Sequence, residues 1–182
     1  MATVDTSRMR PGTRVELDGE PFVITQYQHV KPGKGGAFVR LKLKSLISGS
    51  VLDRTLKGGD SLPQADVAER TMQYLYDDGE KRVFMDQESY EQTEIAREVI
   101  ENVDLISENC EVDVLLHRDK PVGVELPNFV VLEVTASDPP EKGGKLKPAT
   151  LETGALVQVP SFVARGEKVR IDTRDRKYVE RL

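Results

Sequence analysis

A short stretch of the 182-residue chain concentrates residue types that could carry one positive charge to a negatively charged partner. Between Val30 and Phe38 the sequence reads Lys-Pro-Gly-Lys-Gly-Gly-Ala, with Lys34 at its centre. Proline fixes one φ angle and glycine allows positive φ, so the chain can reverse here without bulky side chains. A lysine ammonium on such a loop can donate hydrogen bonds to phosphate, ribose hydroxyl or base acceptors. The loop around Lys34 consists of Lys31, Pro32, Gly33, Gly35 and Gly36.

The same loop could also be an ordinary hairpin turn or a nucleotide-binding P-loop. A glycine-rich turn with a lysine is also typical of an ordinary mobile hairpin, and these residues alone leave that alternative open. A nucleotide-binding P-loop is excluded, because its pattern requires GK[ST] before a helix, whereas Lys34 is followed by Gly35 and a strand-like run. The sequence therefore gives no indication of nucleotide hydrolysis.

Other reactive residue types do not form a recognisable site. The chain has one cysteine, Cys110, and two histidines, and a lone Cys110 with His117 on a strand is typical of structural residues. The carboxylates Glu94, Glu98, Glu101 and Asp104 are better explained as the solvated face of a helix than as paired catalytic acids. We therefore expect no catalytic residue, no metal site and no bound cofactor.

The elements that must position the lysine loop are mostly strands. Val39, Leu41 and Leu43 alternate with Arg40, Lys42 and Lys44, which predicts a strand with one apolar and one basic face. Asp78-Gly79 between two apolar runs predicts a β-hairpin. Helical spacing occurs once, so one amphipathic helix is predicted to close the end of a barrel, with its apolar face formed by Ile95, Val99, Ile100 and Val103.

Charge divides the chain into three segments. Residues 1–64 carry ten Lys and Arg against six Asp and Glu, residues 65–127 carry six against seventeen, and residues 128–182 carry ten against eight. The ends are basic and the middle acidic, which is expected when the ends approach a polyanion, although simple solvation is an equal alternative. Units of ~60 residues have thin cores. We therefore predict three small all-β barrels that lean on one another in an elongated molecule.

The chain also carries signals about its compartment. A single cysteine is typical of a reducing environment, and no run approaches the ~18 apolar residues of a membrane span. The first fifteen residues lack the apolar core of a signal peptide. We therefore expect a cytoplasmic protein with no membrane partner, and a monomer.

Two separate motifs resemble those of the bacterial elongation factor P family. The first is the Lys-Pro-Gly-Lys-Gly-Gly-Ala-Phe hairpin in an N-terminal basic barrel. The second is similar at every defined position to the family's C-terminal signature K-x-A-x4-G-x2-[LIV]-x-V-P-x2-[LIV]-x2-G. Similar short stretches between the two motifs extend the resemblance over essentially the whole chain. The signature residues include Lys147, Ala149, Gly154, Pro160 and Gly166.

The resemblance implies a fold and a function. It implies a KOW/SH3-like barrel in residues 1–64, then two OB barrels in residues 65–127 and 128–182, in an L shape that mimics tRNA. It also implies a factor, not an enzyme, that binds both ribosomal subunits between the P and E sites beside peptidyl-tRNA. There it would relieve stalling at consecutive prolines, with Lys34 reaching the CCA end. The same resemblance implies that a modifying enzyme can extend Lys34, commonly with a β-lysyl group, the alternatives being another extension or an unmodified lysine.

Further RNA contacts are predicted on both basic ends of the chain. Arg40, Lys42 and Lys44 would line the tRNA acceptor arm, the alternative being a solvated strand face. In the third segment, Tyr178 is a candidate with an ordinary barrel aromatic as its alternative. The full set predicted there to approach ribosomal RNA or tRNA is Arg170, Arg174, Tyr178 and Arg181.

The chain departs from the family in one loop. Residues 137–146 are shorter than the corresponding family loop, which is associated with the E-site codon, and lack its Thr-Ala pair. We therefore expect a weaker dependence on the mRNA sequence in the E site. A general KOW/OB RNA-binding module, or a paralogue resembling elongation factor P, remains the alternative function; the Pro-Gly-Lys-Gly tip argues against the paralogue.

Overall fold

The computed structural model describes residues 2–182 and confirms the predicted all-β class, with 56% strand and 3% helix. Sixteen strands follow one another along this part of the chain. They are β1 Thr3–Asp5, β2 Arg14–Leu17, β3 Glu20–Val30, β4 Phe38–Ser45, β5 Val51–Lys57, β6 Ser61–Pro63, β7 Val67–Asp77, β8 Lys81–Asp86, β9 Gln92–Ala96, β10 Glu111–His117, β11 Lys120–Glu125, β12 Phe129–Ser137, β13 Leu146–Leu151, β14 Leu156–Pro160, β15 Lys168–Asp172 and β16 Lys177–Arg181.

These strands form four sheets. The N-terminal part has a four-stranded sheet in the order β2-β3-β4-β5 and a two-stranded sheet of β1 and β6. The other two sheets have five strands each, in the orders β11-β10-β7-β8-β9 and β14-β13-β12-β15-β16. By contacts the chain divides into two compact units, one of residues up to Glu69 with Leu115–Gly123, the other of Arg70–Val114 with Val124–Leu182.

The N-terminal sheet has the two faces that the alternation predicted. Val39, Leu41 and Leu43 on β4 are at most 2% exposed and pack in a core with Met9, Val15, Phe22 and Ile24. Arg40, Lys42 and Lys44 lie between them on the other face. Because successive side chains of a strand point to opposite sides, burying one set presents the other to solvent.

The predicted hairpin is confirmed. Strands β7 and β8 pair antiparallel, with Tyr74 opposite Phe84 and Asp77 opposite Arg82. Gly79 adopts a φ of 106°, and its amide donates to Oδ1 of Asp77 at 2.7 Å. Aspartate and glycine thus provide the turn geometry for which the pair was singled out.

The predicted amphipathic helix is wrong. Ile95 belongs to β9, and only two 3₁₀ turns follow, Arg97–Val99 and Val103–Leu105. Between them Asn102 adopts left-handed angles (φ 53°, ψ 37°), which no α-helix tolerates. Of the four apolar residues that suggested the helix, Ile95 and Ile100 are buried, whereas Val99 and Val103 are only partly buried. Leu105, which follows them, is fully buried in the core of the C-terminal barrel.

Candidate functional site

The Lys34 loop projects from the end of a long hairpin. The β3–β4 ladder closes at the pair Val30 and Phe38, and residues 31–36 are all exposed. Gly35 has a φ of 107°, which side-chain-bearing residues rarely adopt. A Cβ built on Gly33, Gly35 or Gly36 would have no neighbour within 4 Å. The loop therefore stands clear of the barrel, and its bare backbone leaves room for a partner.

Lys34 itself is available for an external partner. Its side chain is exposed and makes no hydrogen bond or ion pair with residues 2–182, and the same holds for Lys31. An ammonium paired with a carboxylate of its own chain would have to break that pair before binding phosphate. The Lys34 ammonium can bind a partner without first breaking an ion pair within residues 2–182.

A basic groove follows the hairpin below the loop. Cross-strand pairing places Gln28, Arg40 and Thr55 in one row across β3, β4 and β5, and Gln26, Lys42 and Asp53 in the next. The guanidinium of Arg40 lies 5.4 Å from the centroid of the Phe38 ring. The open groove has a volume of about 780 Å³. Its polar lining combines three cations and one carboxylate with hydroxyl and amide groups and includes Gln26, Gln28, Arg40, Lys42, Asp53, Arg54 and Thr55.

Several groove residues were missed at the sequence level. Arg40 and Lys42 were predicted, but Arg54, Thr55 and the two glutamines were not. For Thr55 and the glutamines the signal was the strand register, because they are paired with Arg40 and Lys42 of the basic face. Arg54 is paired with Leu41 of the apolar face, so the register does not account for its place in the groove. Lys44 lies farther along β4, opposite Val51.

The three arginines of the third segment that were predicted to contact RNA all form ion pairs within their own barrel. Arg170 is paired with Glu180 on the neighbouring strand, and Arg181 with Glu167 at 3.2 Å. Arg174 makes a bidentate contact with Asp172, its Nε and Nη2 donating at 3.0 and 2.6 Å, and covers the Phe129 ring. Side-chain hydrogen bonds from Arg174 lower the pKa of Asp172 to about 2. Each of these predicted cations therefore already has a carboxylate partner.

Tyr178 is better explained as a barrel aromatic. It is half-buried, packs against the C-terminal core, and burial raises the pKa of its hydroxyl. These contacts are those of an ordinary barrel aromatic, and a contact of Tyr178 with RNA stays a prediction.

The signature residues build the C-terminal barrel. Lys147 is only 8% exposed, and its Nζ donates to the carbonyl oxygen of Asp138 at 2.5 Å. Ala149 is buried in the core. Gly154 and Gly166 have φ angles of 86° and 89°, and the Gly166 amide donates to the Val134 carbonyl at 2.8 Å. Pro160 ends β14 opposite Leu146. These positions shape turns and core packing; the signature lysine is not offered to a partner.

The other residues with reactive side chains are a cysteine, a histidine and several carboxylates, and their surroundings are those of structural residues. Burial raises the pKa of the half-buried Cys110 thiol, which makes it a poorer nucleophile. His117 is buried, and its Nε2 makes no hydrogen bond within the described chain. Glu94 pairs with Lys81 at 3.1 Å, and Asp104 with Arg176 at 2.7 Å. No group of three His, Cys, Asp or Glu in residues 2–182 could hold a metal ion.

Residues 2–182 contain no helix that could span a membrane. Their only helical elements are the two short 3₁₀ turns, and neither has the length or apolarity of a membrane-spanning helix.

Comparison with known proteins identifies the family. A model of the elongation factor P (EF-P) KOW-like domain matches residues 5–62, one of the EF-P OB domain matches residues 67–124, and one of the elongation factor P C-terminal domain matches residues 130–181. A solved structure titled eukaryotic translation initiation factor 5A from Methanococcus jannaschii is similar in fold, with a TM-score of 0.56 and 23% identity over 69% of this chain and 92% of that chain.

Full-length relatives agree with the domain matches. Elongation factor P of Pelotomaculum thermopropionicum is 48% identical over 98% of this chain and all of that relative. The protein of that name from Ruminiclostridium cellulolyticum is 49% identical over 94% of this chain and 95% of the relative. That of Sulfurovum sp. is 44% identical over all of this chain and 99% of the relative. These names denote translation factors and not enzymes. The chain belongs to the elongation factor P family.

Proposed function

We propose that this translation elongation factor binds the ribosome between the P and E sites, beside peptidyl-tRNA, and stimulates peptide-bond formation at consecutive prolines. Lys34 contacts the CCA end of the peptidyl-tRNA. The observation that carries this proposal is the Lys34 loop, because its central ammonium is exposed, unpaired within residues 2–182 and surrounded by glycines. A narrow RNA-lined cleft can admit such a tip.

Positioning is the physical basis of the proposed stimulation. Proline is a constrained secondary amine, so a nascent Pro-Pro sequence disfavours the geometry needed for attack on the peptidyl ester. Contacts from Lys34 to the CCA backbone would restrict that ester to productive orientations. A hundredfold acceleration requires roughly 2.7 kcal/mol, which a few charge-assisted hydrogen bonds can provide. No group of this protein needs to transfer a proton, so the ribosome remains the catalyst.

The basic groove supports the same docking from the side of the hairpin. Arg40 and Lys42 lie two residues apart on the same face of β4, and the hydroxyl of Thr55 and the amides of Gln26 and Gln28 flank them. Phosphate contacts of this kind set orientation and make binding sensitive to salt. The groove would therefore hold the acceptor arm while the loop reaches its end.

The exposure of Lys34 also supports modification. An enzyme could reach Nζ without displacing any side chain of residues 2–182, and a β-lysyl extension would lengthen the cationic arm. We accordingly propose a cytoplasmic monomer whose partners are both ribosomal subunits, peptidyl-tRNA and a lysine-modifying enzyme. Within it, residues 1–64 form the KOW domain and residues 65–127 and 128–182 the OB domains.

Replacement of Lys34 by alanine tests the proposal. We expect the rate of Pro-Pro-Pro synthesis on purified ribosomes to fall about a hundredfold toward the rate without factor, a loss of roughly 2.7 kcal/mol. Lys168→Ala, which removes another exposed lysine, is the matched control and should retain full stimulation. Unchanged stimulation by the Lys34→Ala protein, with loss only on removal of the groove cations, would instead indicate a general KOW/OB RNA-binding module.

A further inference from the structure

The position of the Lys34 loop depends on its base, because residues 31–36 make no packing contact that would hold the loop itself. Beyond the last ladder pair of β3 and β4, the carbonyl oxygen of Ala37 accepts a hydrogen bond from the amide of Gly58 at 3.0 Å. A Cβ built on Gly58 would lie 3.2 Å from that oxygen, so the absence of a side chain permits the close approach. The turn after β5 thus supports the base of the loop.

That turn has a defined geometry of its own. The Asp60 amide donates to the Lys57 carbonyl at 3.0 Å, and the Lys57 amide donates to Oδ2 of Asp60 at 2.9 Å. Gly59, between them, has a φ of 91°. These bonds close the turn on itself, so a displacement at Gly59 or Asp60 would be passed to Gly58 and from there to Ala37.

On its other side the turn is held by a residue from the start of the chain. Thr6 is only 4% exposed; its Oγ1 accepts from the Gly59 amide at 3.1 Å, and its own amide donates to the Asp60 carbonyl at 2.9 Å. Its carbonyl accepts from the hydroxyl of Tyr27 on β3 at 3.1 Å. Strand β1, just before Thr6, pairs with β6, just after the turn. Thr6 therefore joins the turn to the hairpin that carries the loop.

From this arrangement we infer that Thr6 is a positioning residue for Lys34. Its hydroxyl fixes the turn Lys57–Asp60, the turn holds Ala37, and Ala37 sets the direction in which the loop leaves the barrel. The effect of Thr6 on peptide synthesis rests on the proposed function. Its effect on the turn and on the Lys34 loop can be measured in the free protein alone.

Thr6→Val tests the effect on the turn and the loop, because valine keeps the shape of threonine but leaves the Gly59 amide without its acceptor. Loss of one such hydrogen bond should make exchange of the Gly58 and Gly59 amide protons about fivefold faster. Nuclear-spin relaxation of Gly33, Gly35 and Gly36 should report greater loop motion, while exchange at Leu41 and Leu43 stays slow. Thr6→Ser, which keeps the hydroxyl, should restore both readouts. Increased exchange at Gly58 without increased loop motion would overturn the inference.

The activity readout distinguishes positioning from general destabilisation. With Thr6→Val we expect the maximal rate of Pro-Pro-Pro synthesis to fall severalfold, while the factor concentration for half-maximal stimulation stays the same. Thr135→Val, which removes a hydroxyl bonded to the Thr150 carbonyl, is the control and should match wild type. Tyr27→Phe, which removes the other side-chain bond to Thr6, should act in the same direction if Thr6→Val fails to fold. A maximal rate unaffected by Thr6→Val, with Lys34→Ala still inactive, would refute the role of Thr6 but leave the proposed function intact.

Discussion

Several cations with predicted functional roles differ between the two basic ends of the chain in whether they have a carboxylate partner. In the N-terminal barrel Lys31, Lys34 and Lys42 have no carboxylate partner within residues 2–182. In the C-terminal barrel Arg170, Arg174 and Arg181 each hold a carboxylate of the same barrel. Net charges of +4 and +2 suggested two similar polyanion-binding surfaces. We infer that a cation already paired with a carboxylate of its own barrel is less available to a polyanion than an unpaired cation, whatever the net charge of its segment.

The largest expected effect is on ribosome binding, when two cations are removed from the N-terminal barrel and, for comparison, two from the C-terminal barrel. Arg40→Ala with Lys42→Ala should weaken ribosome binding about tenfold at low salt, because two phosphate contacts are lost. The slope of log affinity against log salt should become shallower by about 1.5. The matched change, Arg170→Ala with Arg174→Ala, should leave affinity and slope near wild type. Equal losses from the two double variants, measured by filter binding, would contradict the distinction drawn here.

A smaller effect is expected from the arginine that is paired within the second unit. Arg176 donates to both oxygens of Asp104 at 2.7 Å and to Asn102 at 3.1 Å, and the Arg176 hydrogen bonds lower the pKa of Asp104. Arg176→Ala should lower the free energy of unfolding by about 1 kcal/mol, because a well-aligned but partly exposed pair is lost. Urea unfolding measures this change, and Arg165→Ala is the control, since that exposed arginine has no described carboxylate partner. Wild-type stability of Arg176→Ala would mean that the pair contributes nothing.

The smallest effect is a pH dependence at Asp172. Because folding lowers the pKa of this carboxyl from 3.8 to about 2, its stabilising contribution is fully present above pH 4 and is lost as the pH falls through 2. Asp172→Asn should therefore flatten the decline of stability between about pH 4 and pH 2, and Arg174→Ala should flatten it similarly. Urea unfolding midpoints across that range measure the effect. A decline as steep as that of wild type in both variants would show that the pair is absent in solution.

Local residue patterns were sufficient to predict β4, which carries the Lys34 loop, and the separate β7–β8 hairpin. Alternation on β4 and the Asp78-Gly79 turn depend on near neighbours in the chain, so their geometry follows from local rules. The predicted helix was wrong because Leu105 is buried by residues far along the chain, and because Asn102 takes left-handed angles that periodicity does not reveal. Helical spacing over four apolar residues was too short a signal to outweigh that burial.

The site itself was predictable only in part. The exposure of Lys34 could be predicted from the sequence, because proline and glycine mark an exposed turn. The pairing of Arg170 with Glu180 depends on the β15–β16 register, and the bond between Thr6 and Gly59 joins residues more than fifty positions apart. The burial of Lys147 could not be predicted from its residue type, because lysine side chains usually lie at the surface.

The empty space around the glycines of the Lys34 loop has a consequence for the chemistry of its tip. Apart from each glycine's two chain neighbours, no atom of residues 2–182 lies within 4 Å of a Cβ built on Gly33, Gly35 or Gly36, so the barrel does not crowd the loop on either side of Lys34. If an enzyme extends Lys34, selection of the added group would therefore have to come from that enzyme or from the site that binds the loop, because the barrel provides no wall beside these glycines.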